Sequence, residues 1–165
     1  MSTFVSLGNA HQPFTRLLEA VAHLAPALPQ PVVVQHGYTP FQDEGCEAIA
    51  FVDMARFEHE VERAELLILH AGAGSVIHAL RAGKVPVVAP RLARHGEHVN
   101  DHQLEFTREL AKAGRIVMLE DMSLLAQAVA EARARQQAAQ EKQAEPALLR
   151  LIAEELASCA AQLSK

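Results

Sequence analysis

Tryptophan is absent from the 165-residue chain and tyrosine occurs once, so aromatic residues make up only 4% of it. That leaves no set of rings on which the bases of a nucleic-acid strand could stack. Positive charge is not in excess either, and a net charge of −5 lacks the basic footprint of a nucleic-acid binder. The two cysteines, Cys46 and Cys159, lie far apart and in no metal-like spacing, which reads as two reduced thiols. No apolar run approaches the roughly 18 residues of a membrane-spanning helix. The start, Met-Ser-Thr-Phe-Val-Ser-Leu-Gly, lacks the basic region of a secretory signal and is already strand-like. These absences lead to the expectation of a cytoplasmic chain with no nucleic-acid partner.

What is there is an apolar half of the sequence, enough for one domain that buries roughly 70% of its unfolded surface. Strand-like and helix-like segments alternate. Thr3–Leu7 reads as a strand, and Pro13 suits the first turn of a helix carrying Phe14, Leu17, Leu18, Val21 and Leu24 at helical spacing. Val32–Gln35 and Ala48–Val52 read as strands, Met54–Arg63 as a helix, Leu66–Leu69 as a strand and Ser75–Ala82 as a helix. Val85–Pro90 and Ile116–Leu119 read as the last two strands, flanking a helix over His98–Ala113, and the pattern is helical from Met122. Near-continuously apolar strands alternating with helices predict a Rossmann-like parallel sheet covered on both faces. Such sheets bind ligands at the carboxyl ends of their strands. The division expected is residues 1–130 as that domain and 131–165 as a helical extension. In the extension Leu148, Leu149, Ile152, Leu156, Ala160 and Leu163 form one apolar stripe, suited either to the chain's own sheet or to a partner.

The stretch Leu66–His78 is the most informative. A short apolar strand stops at His70-Ala71-Gly72-Ala73-Gly74, and Ser75 opens an amphipathic segment. Strand, glycine-rich turn and helix start are the parts of a diphosphate cradle built from free backbone N–H groups. The same parts also make an ordinary tight turn that needs small residues for packing. Ser75 can cap the helix and can donate a hydroxyl hydrogen bond.

The run His70-Ala-Gly-Ala-Gly-Ser-Val-Ile-His-Ala-Leu-Arg-Ala-Gly-Lys-Val-Pro-Val-Val-Ala-Pro, followed by Asn100-Asp-His-Gln, closely resembles the C-terminal, donor-binding half of family 28 glycosyltransferases. Within that family it looks most like split enzymes: the catalytic subunit of the eukaryotic dolichol-linked N-acetylglucosaminyltransferase, and PssE-type subunits of bacterial exopolysaccharide glycosyltransferases. Phe4-Val-Ser-Leu-Gly8-Asn9-Ala10-His11-Gln12-Pro13-Phe14 matches the bacterial branch. The resemblance covers about residues 3 to 120. It implies the C-terminal half of a GT-B fold that binds a UDP-sugar without metal or other cofactor. It also implies a second, membrane-anchored subunit carrying the acceptor half, so that this chain would lie peripheral to the inner membrane through its partner. The reaction implied is inverting transfer of a sugar to a lipid-linked saccharide acceptor in exopolysaccharide assembly.

Carried over residue by residue, the resemblance assigns the diphosphate to amides of Ala73, Gly74, Ser75 and Val76 in the loop that Gly72 opens, to the Ser75 hydroxyl, and to Gly8 and Asn9 from the other side. His70 would contact phosphate or bridge loop backbones. Asn100, Asp101, His102 and Gln103 would read the sugar, with Asn100 equally suited to a helix cap. Phe51, Val52 and Met54 would hold the uracil. His78 stands where the lipid-linked enzymes carry a glutamate that accepts from ribose hydroxyls. Arg91 and Arg94 flank a loop that could close over the donor, and one of them could pair the carboxylate of UDP-glucuronic acid. His95, His98 and His102 could share a helix face, a weak pattern for zinc. His11 is the candidate base within this chain. A non-catalytic nucleotide-binding regulatory module is the alternative function.

Overall fold

Six short strands and their intervening helices account for most of residues 2–141, the part of the chain described by the computed structural model. The strands are β1 (Thr3–Ser6), β2 (Val32–Gln35), β3 (Glu47–Ile49), β4 (Leu66–His70), β5 (Val87–Ala89) and β6 (Val117–Met118). The helices are α1 (Thr15–Leu24), α2 (Met54–Arg63), α3 (Ala73–Arg81), α4 (His102–Lys112) and α5, which starts at residue 125. The strands form one sheet in the order β3-β2-β1-β4-β5-β6, and every pairing is parallel.

Parallel pairing forces crossover connections, and the helices in those connections cover both faces. Successive side chains of a strand point to opposite faces. Val5, Val34, Ile68 and Val87 therefore pack on Leu17, Leu18 and Val21 of α1 and on Leu125, Ala128 and Val129 of α5. Phe4, Val33, Leu67 and Leu69 face Phe57 and Val61 of α2 and Ala79 of α3. A smaller cluster joins Val88 and Ile116 to Val76 of α3, with Phe106 and Leu110 of α4 packed against it. Every residue of β1, β2, β4 and β5 is buried, which is why these strands read as unbroken apolar runs.

Several expected boundaries move, among them α3, which starts at Ala73 rather than Ser75, and the last two strands, which are shorter than expected. The third strand ends at Ile49, and Glu47 and Ala48 are exposed on the sheet edge. Phe51 and Val52 belong to the loop that leads into α2. Pro13 lies before the helix rather than in its first turn, because Phe14 is the cap residue and its N–H donates to Thr39 Oγ1 at 3.0 Å. The helix expected from His98 begins at His102. Asn100 Oδ1 accepts from the His102 N–H, and His98 Nδ1 lies 3.2 Å from the Asn100 carbonyl. Short polar side chains offer the backbone such alternatives to a helical turn. The zinc pattern goes with that helix, since the three histidines no longer share one face. No metal-holding group of three ligands occurs among the described residues.

One compact unit spans Met1–Arg133, and of the second, Ala134–Lys165, residues 134–141 are helical. The apolar stripe from Leu148 to Leu163 lies outside the described residues. Among the described residues, no helix is long and apolar enough to cross a membrane. Leu17 is fully buried between α1 and the sheet, whereas Ile77 is 42% exposed. Leu17→Ala should therefore cost about 3 kcal/mol of unfolding free energy in urea titrations, and Ile77→Ala no more than about 0.5 kcal/mol.

Candidate functional site

The strand order reverses between β1 and β4, since the chain winds outward one way through β2 and β3 and the other way through β5 and β6. The turns leaving β1 and β4 must diverge there, and a crevice opens beyond their carboxyl ends. A cleft of about 280 Å³ occupies this place. The β1 side contributes Ser6, Gly8 and Asn9, and β2 contributes Gln35. Val52, Asp53, Met54 and Phe57 come from the start of α2. His70, Gly72, Gly74, Ser75 and His78 come from β4 and α3.

His70 ties the two turns together. Its ring is buried, with Nδ1 3.3 Å from the Ser6 carbonyl. A carbonyl only accepts, so that nitrogen carries the proton and Nε2 is left as an acceptor. Burial lowers the imidazole pKa to about 4, helped by the Arg91 and His98 charges and opposed by the Ser6 carbonyl. Near neutral pH the ring is uncharged and its Nε2 has no proton to donate to a phosphate. Of its two expected roles, the structure shows the one that bridges loops. The ring also explains two glycines. A Cβ on Gly8 would stand 2.5 Å from the ring and one on Gly72 only 2.2 Å from Nε2. Gly8 has a φ of +69° besides.

Gly74 is different. A Cβ there would meet nothing within 4 Å, so packing does not demand glycine at this position. It lines the cleft and sits in the first turn of α3, where glycine costs up to about 1 kcal/mol relative to alanine. Gly72 thus fits the packing explanation of the glycine-rich turn, and Gly74 fits the open-approach explanation. Gly72 is the helix cap, so Ser75 is not. The amides of Ala73, Gly74 and Ser75 occupy the first turn, where intrahelical partners are missing. Val76 departs from expectation: its N–H already donates to the Gly72 carbonyl, and its side chain is fully buried.

Ser6 and Gln35 escape a reading of the sequence because both occupy strand positions. The Ser6 hydroxyl donates to Gln35 Oε1, and Gln35 Nε2 donates to the Gly8 carbonyl at 3.1 Å and to Asn9 Oδ1 at 3.3 Å. A buried amide thereby sets the shape of the Gly8–Asn9 turn. The available signal was a polar residue ending each of two apolar strands, Phe-Val-Ser and Val-Val-Val-Gln.

Across the cleft, Asp53 caps α2 by accepting from the Arg56 N–H at 2.8 Å. Phe57 presents its edge to Phe4 and to His78, and His78 Nδ1 lies 3.5 Å from Glu58 Oε1. Asp53, Phe57 and Glu58 are further residues that sequence reasoning missed. Phe51 and His11 lie outside the cleft lining, in an aromatic group where His11 stacks on Tyr38 at 4.2 Å and Tyr38 meets Phe51 at 5.0 Å.

The loop after β5 is pinned down rather than open. Asp101 Oδ1 accepts from the Ala93 N–H at 3.0 Å, and Gln103 Oε1 accepts from the Arg91 N–H at 3.1 Å. Asn100, Asp101, His102, Gln103 and Arg94 do not line the cleft. Gln103 keeps its amide nitrogen as a donor, and Arg94 is exposed beside His95. Arg91 is corrected: at 1% exposure it is a core cation, not a loop arginine available to a ligand. Burial lowers its pKa to about 10 against the pull of Glu97, so it remains charged.

Two predictions follow from the His70 packing. Gly72→Ala should destabilise the fold by about 2 kcal/mol through overpacking, whereas Gly74→Ala should leave it as stable or up to about 1 kcal/mol more stable; thermal unfolding of the pair checks this. His70 takes a proton near pH 6.5 when unfolded and near 4 when folded. The unfolded chain therefore binds more protons between those values, and stability falls as pH falls through that window, by about 3 kcal/mol from this group. His70→Gln should flatten that part of the pH–stability curve.

Comparison with known proteins follows the same outline. The model of the glycosyltransferase family 28 C-terminal domain matches residues 8–162. The UDP-N-acetylglucosamine transferase subunit ALG13 of Yarrowia lipolytica is 35% identical over 88 residues, covering 53% of this chain and 43% of the relative. The Homo sapiens protein of the same name is 33% identical over 79 residues, 47% of this chain and 6% of the relative. The chain thus spans less than half the length of these relatives. Among solved structures, the glycotransferase of kitacinnamycin superposes with a TM-score of 0.66 at 22% identity, covering 91% of this chain and 39% of that one. The calicheamicin glycosyltransferase CalG4 gives 0.60 at 19% identity, covering 85% and 38%. At such identities these two likenesses concern the GT-B fold alone. With a match over nearly its whole length, the chain belongs to the glycosyltransferase family 28 C-terminal domain family.

Proposed function

We propose that the chain is the donor-binding half of a two-component, inverting glycosyltransferase that uses a UDP-sugar. The observation that carries this reading is the first turn of α3, with open space over Gly74 and with Gly74 and Ser75 lining the cleft at the switch point. In the reaction, an acceptor hydroxyl attacks the anomeric carbon as the bond to the diphosphate oxygen breaks. The hydroxyl proton passes to a base, and negative charge builds on UDP. The amides of Ala73, Gly74 and Ser75 and the Ser75 hydroxyl would take up that charge, the preorganised donors that lower such barriers most. Gly8 and Asn9 would face the same phosphates, and Val52 and Met54, with Phe51 near them, would hold the uracil. His78, with Glu58 behind it, would meet the ribose.

The sugar would fall to Gln103 through its free amide nitrogen, with Asp101, His102 and Asn100 beside it, and Arg94 would pair a uronic carboxylate. His11 would be the base if it lies in this chain. A membrane-anchored subunit would bring the lipid-linked acceptor, on the cytoplasmic side of the inner membrane, and exopolysaccharide assembly is the setting proposed. The relatives' names, each a UDP-N-acetylglucosamine transferase subunit, support the donor class and the divided organisation. His78, in place of a bidentate carboxylate, favours the second reading, a nucleotide-binding module without turnover.

Calorimetry with UDP separates these from a scaffold without a nucleotide site: no binding by the wild-type chain removes both. Turnover of UDP-sugar on a lipid-linked acceptor, with the partner subunit co-expressed, separates enzyme from module. In that assay Ser75→Ala should lower turnover on the order of 100-fold, and unchanged kinetics would remove Ser75 from the site.

A further inference from the structure

Arg91 is the largest fully buried side chain of the described residues, and the mechanism above makes no use of it. Its guanidinium donates to the Leu7 carbonyl at 2.9 Å, the Gln12 carbonyl at 2.6 Å and the Glu97 carbonyl at 3.3 Å. The group also lies over the Phe14 ring, 4.9 Å from its centroid. Leu7 and Gln12 bracket the turn that holds Gly8, Asn9 and His11, so one side chain grips both ends of that turn. The backbone N–H of Arg91 is held in turn by Gln103.

Glu97 completes the arrangement. Its buried carboxylate takes Arg16 Nε at 2.6 Å, Arg16 Nη2 at 2.9 Å and the Leu92 N–H at 3.0 Å. Arg16 also reaches the Pro90 and Glu120 carbonyls. Burying a guanidinium is costly unless its donors are met, and here Nε is buried with no partner. An apolar side chain would fill the volume without that cost but could not hold three carbonyls from two separate loops.

We infer that Arg91 is a positioning residue that fixes the Gly8–His11 turn relative to the loop carrying Asn100–Gln103, and so sets where the diphosphate-facing backbone stands. The inference rests on the proposed reading of Gly8 and Asn9 as the diphosphate side of the cleft. The turn's other side-chain support comes from Gln35 and from the Ser6 hydroxyl, which accepts from the Gly8 N–H at 3.4 Å. A small shift of its amides costs ligand contacts, because hydrogen bonds weaken steeply with distance and angle.

The test uses the full chain with UDP and UMP as probes, which differ by the second phosphate. Calorimetry is paired with amide hydrogen exchange of residues 8–12 in Arg91→Lys, Arg91→Met and Glu97→Gln. Arg91→Lys should reduce the preference for UDP over UMP about ten-fold, the worth of one charge-assisted hydrogen bond. UMP affinity should stay within about two-fold of wild type, and amides 8–12 should exchange faster. Glu97→Gln should move both readings the same way by less, and it serves, with the lysine variant, if Arg91→Met does not fold. Equal losses for UDP and UMP, or an unaltered preference despite faster exchange, would overturn the positioning role and leave the function proposal standing. A wild-type chain that ignores UDP overturns both.

Discussion

The parallel pairing of β1 with β4 is the constraint on which the rest of this protein depends. It sets Thr3 beside Leu66 and Ser6 beside Leu69, so that the turns after the two strands leave the sheet at one edge. His70 then fills the space between them, hydrogen-bonded to Ser6 and flanked by Gly8 and Gly72. A larger residue in either turn would collide with the ring, and a charged ring would be hard to keep at this depth. The cleft has its shape because two glycines and a neutral imidazole occupy one small volume, and α3 starts where that volume ends.

A second layer of polar contacts surrounds this centre. Gln35 supports the β1 turn from one side and Arg91 from the other, while Glu97 and Arg16 anchor the loop beyond β5. The loop carrying the Asn-Asp-His-Gln run is therefore tied to the rest of the chain by hydrogen bonds in this structure. Asp101 and Gln103 each give one oxygen to a backbone N–H of this loop. The chemistry that suits such groups to sugar hydroxyls suits them equally to unpaired backbone donors. What is left over is specific: an amide nitrogen on Gln103, an exposed guanidinium on Arg94, and a His78–Glu58 pair bridging α2 and α3.

Family 28 membership and the GT-B likeness concern the chain and its fold, and individual residues of the cleft can be told apart only by their packing. Gly74 is the clearest instance. Within one short motif, Gly72 is required by its neighbour His70, and Gly74 is required by nothing in the protein itself. A glycine there weakens the first turn of its helix without relieving any internal contact. The aromatic group of His11, Tyr38 and Phe51 stands apart from the cleft lining.

Much of the architecture was legible in the sequence because it rests on local periodicity. Unbroken apolar runs announced buried parallel strands, helical spacing announced α1, and His70-Ala-Gly-Ala-Gly-Ser announced a turn entering a helix. Those patterns also determined that the turns after the strands would gather at the carboxyl edge. Tertiary structure alone decided the partners of the polar groups. Ser6, Gln35, Glu97 and Arg91 look in the sequence like a strand end, another strand end and two loop charges, and contacts that folding closes across as many as 84 residues make them part of one support for the β1 turn. For the same reason the sequence determined which residues are able to form hydrogen bonds, and the fold decided that Val76 and Arg91 would spend theirs on the chain itself.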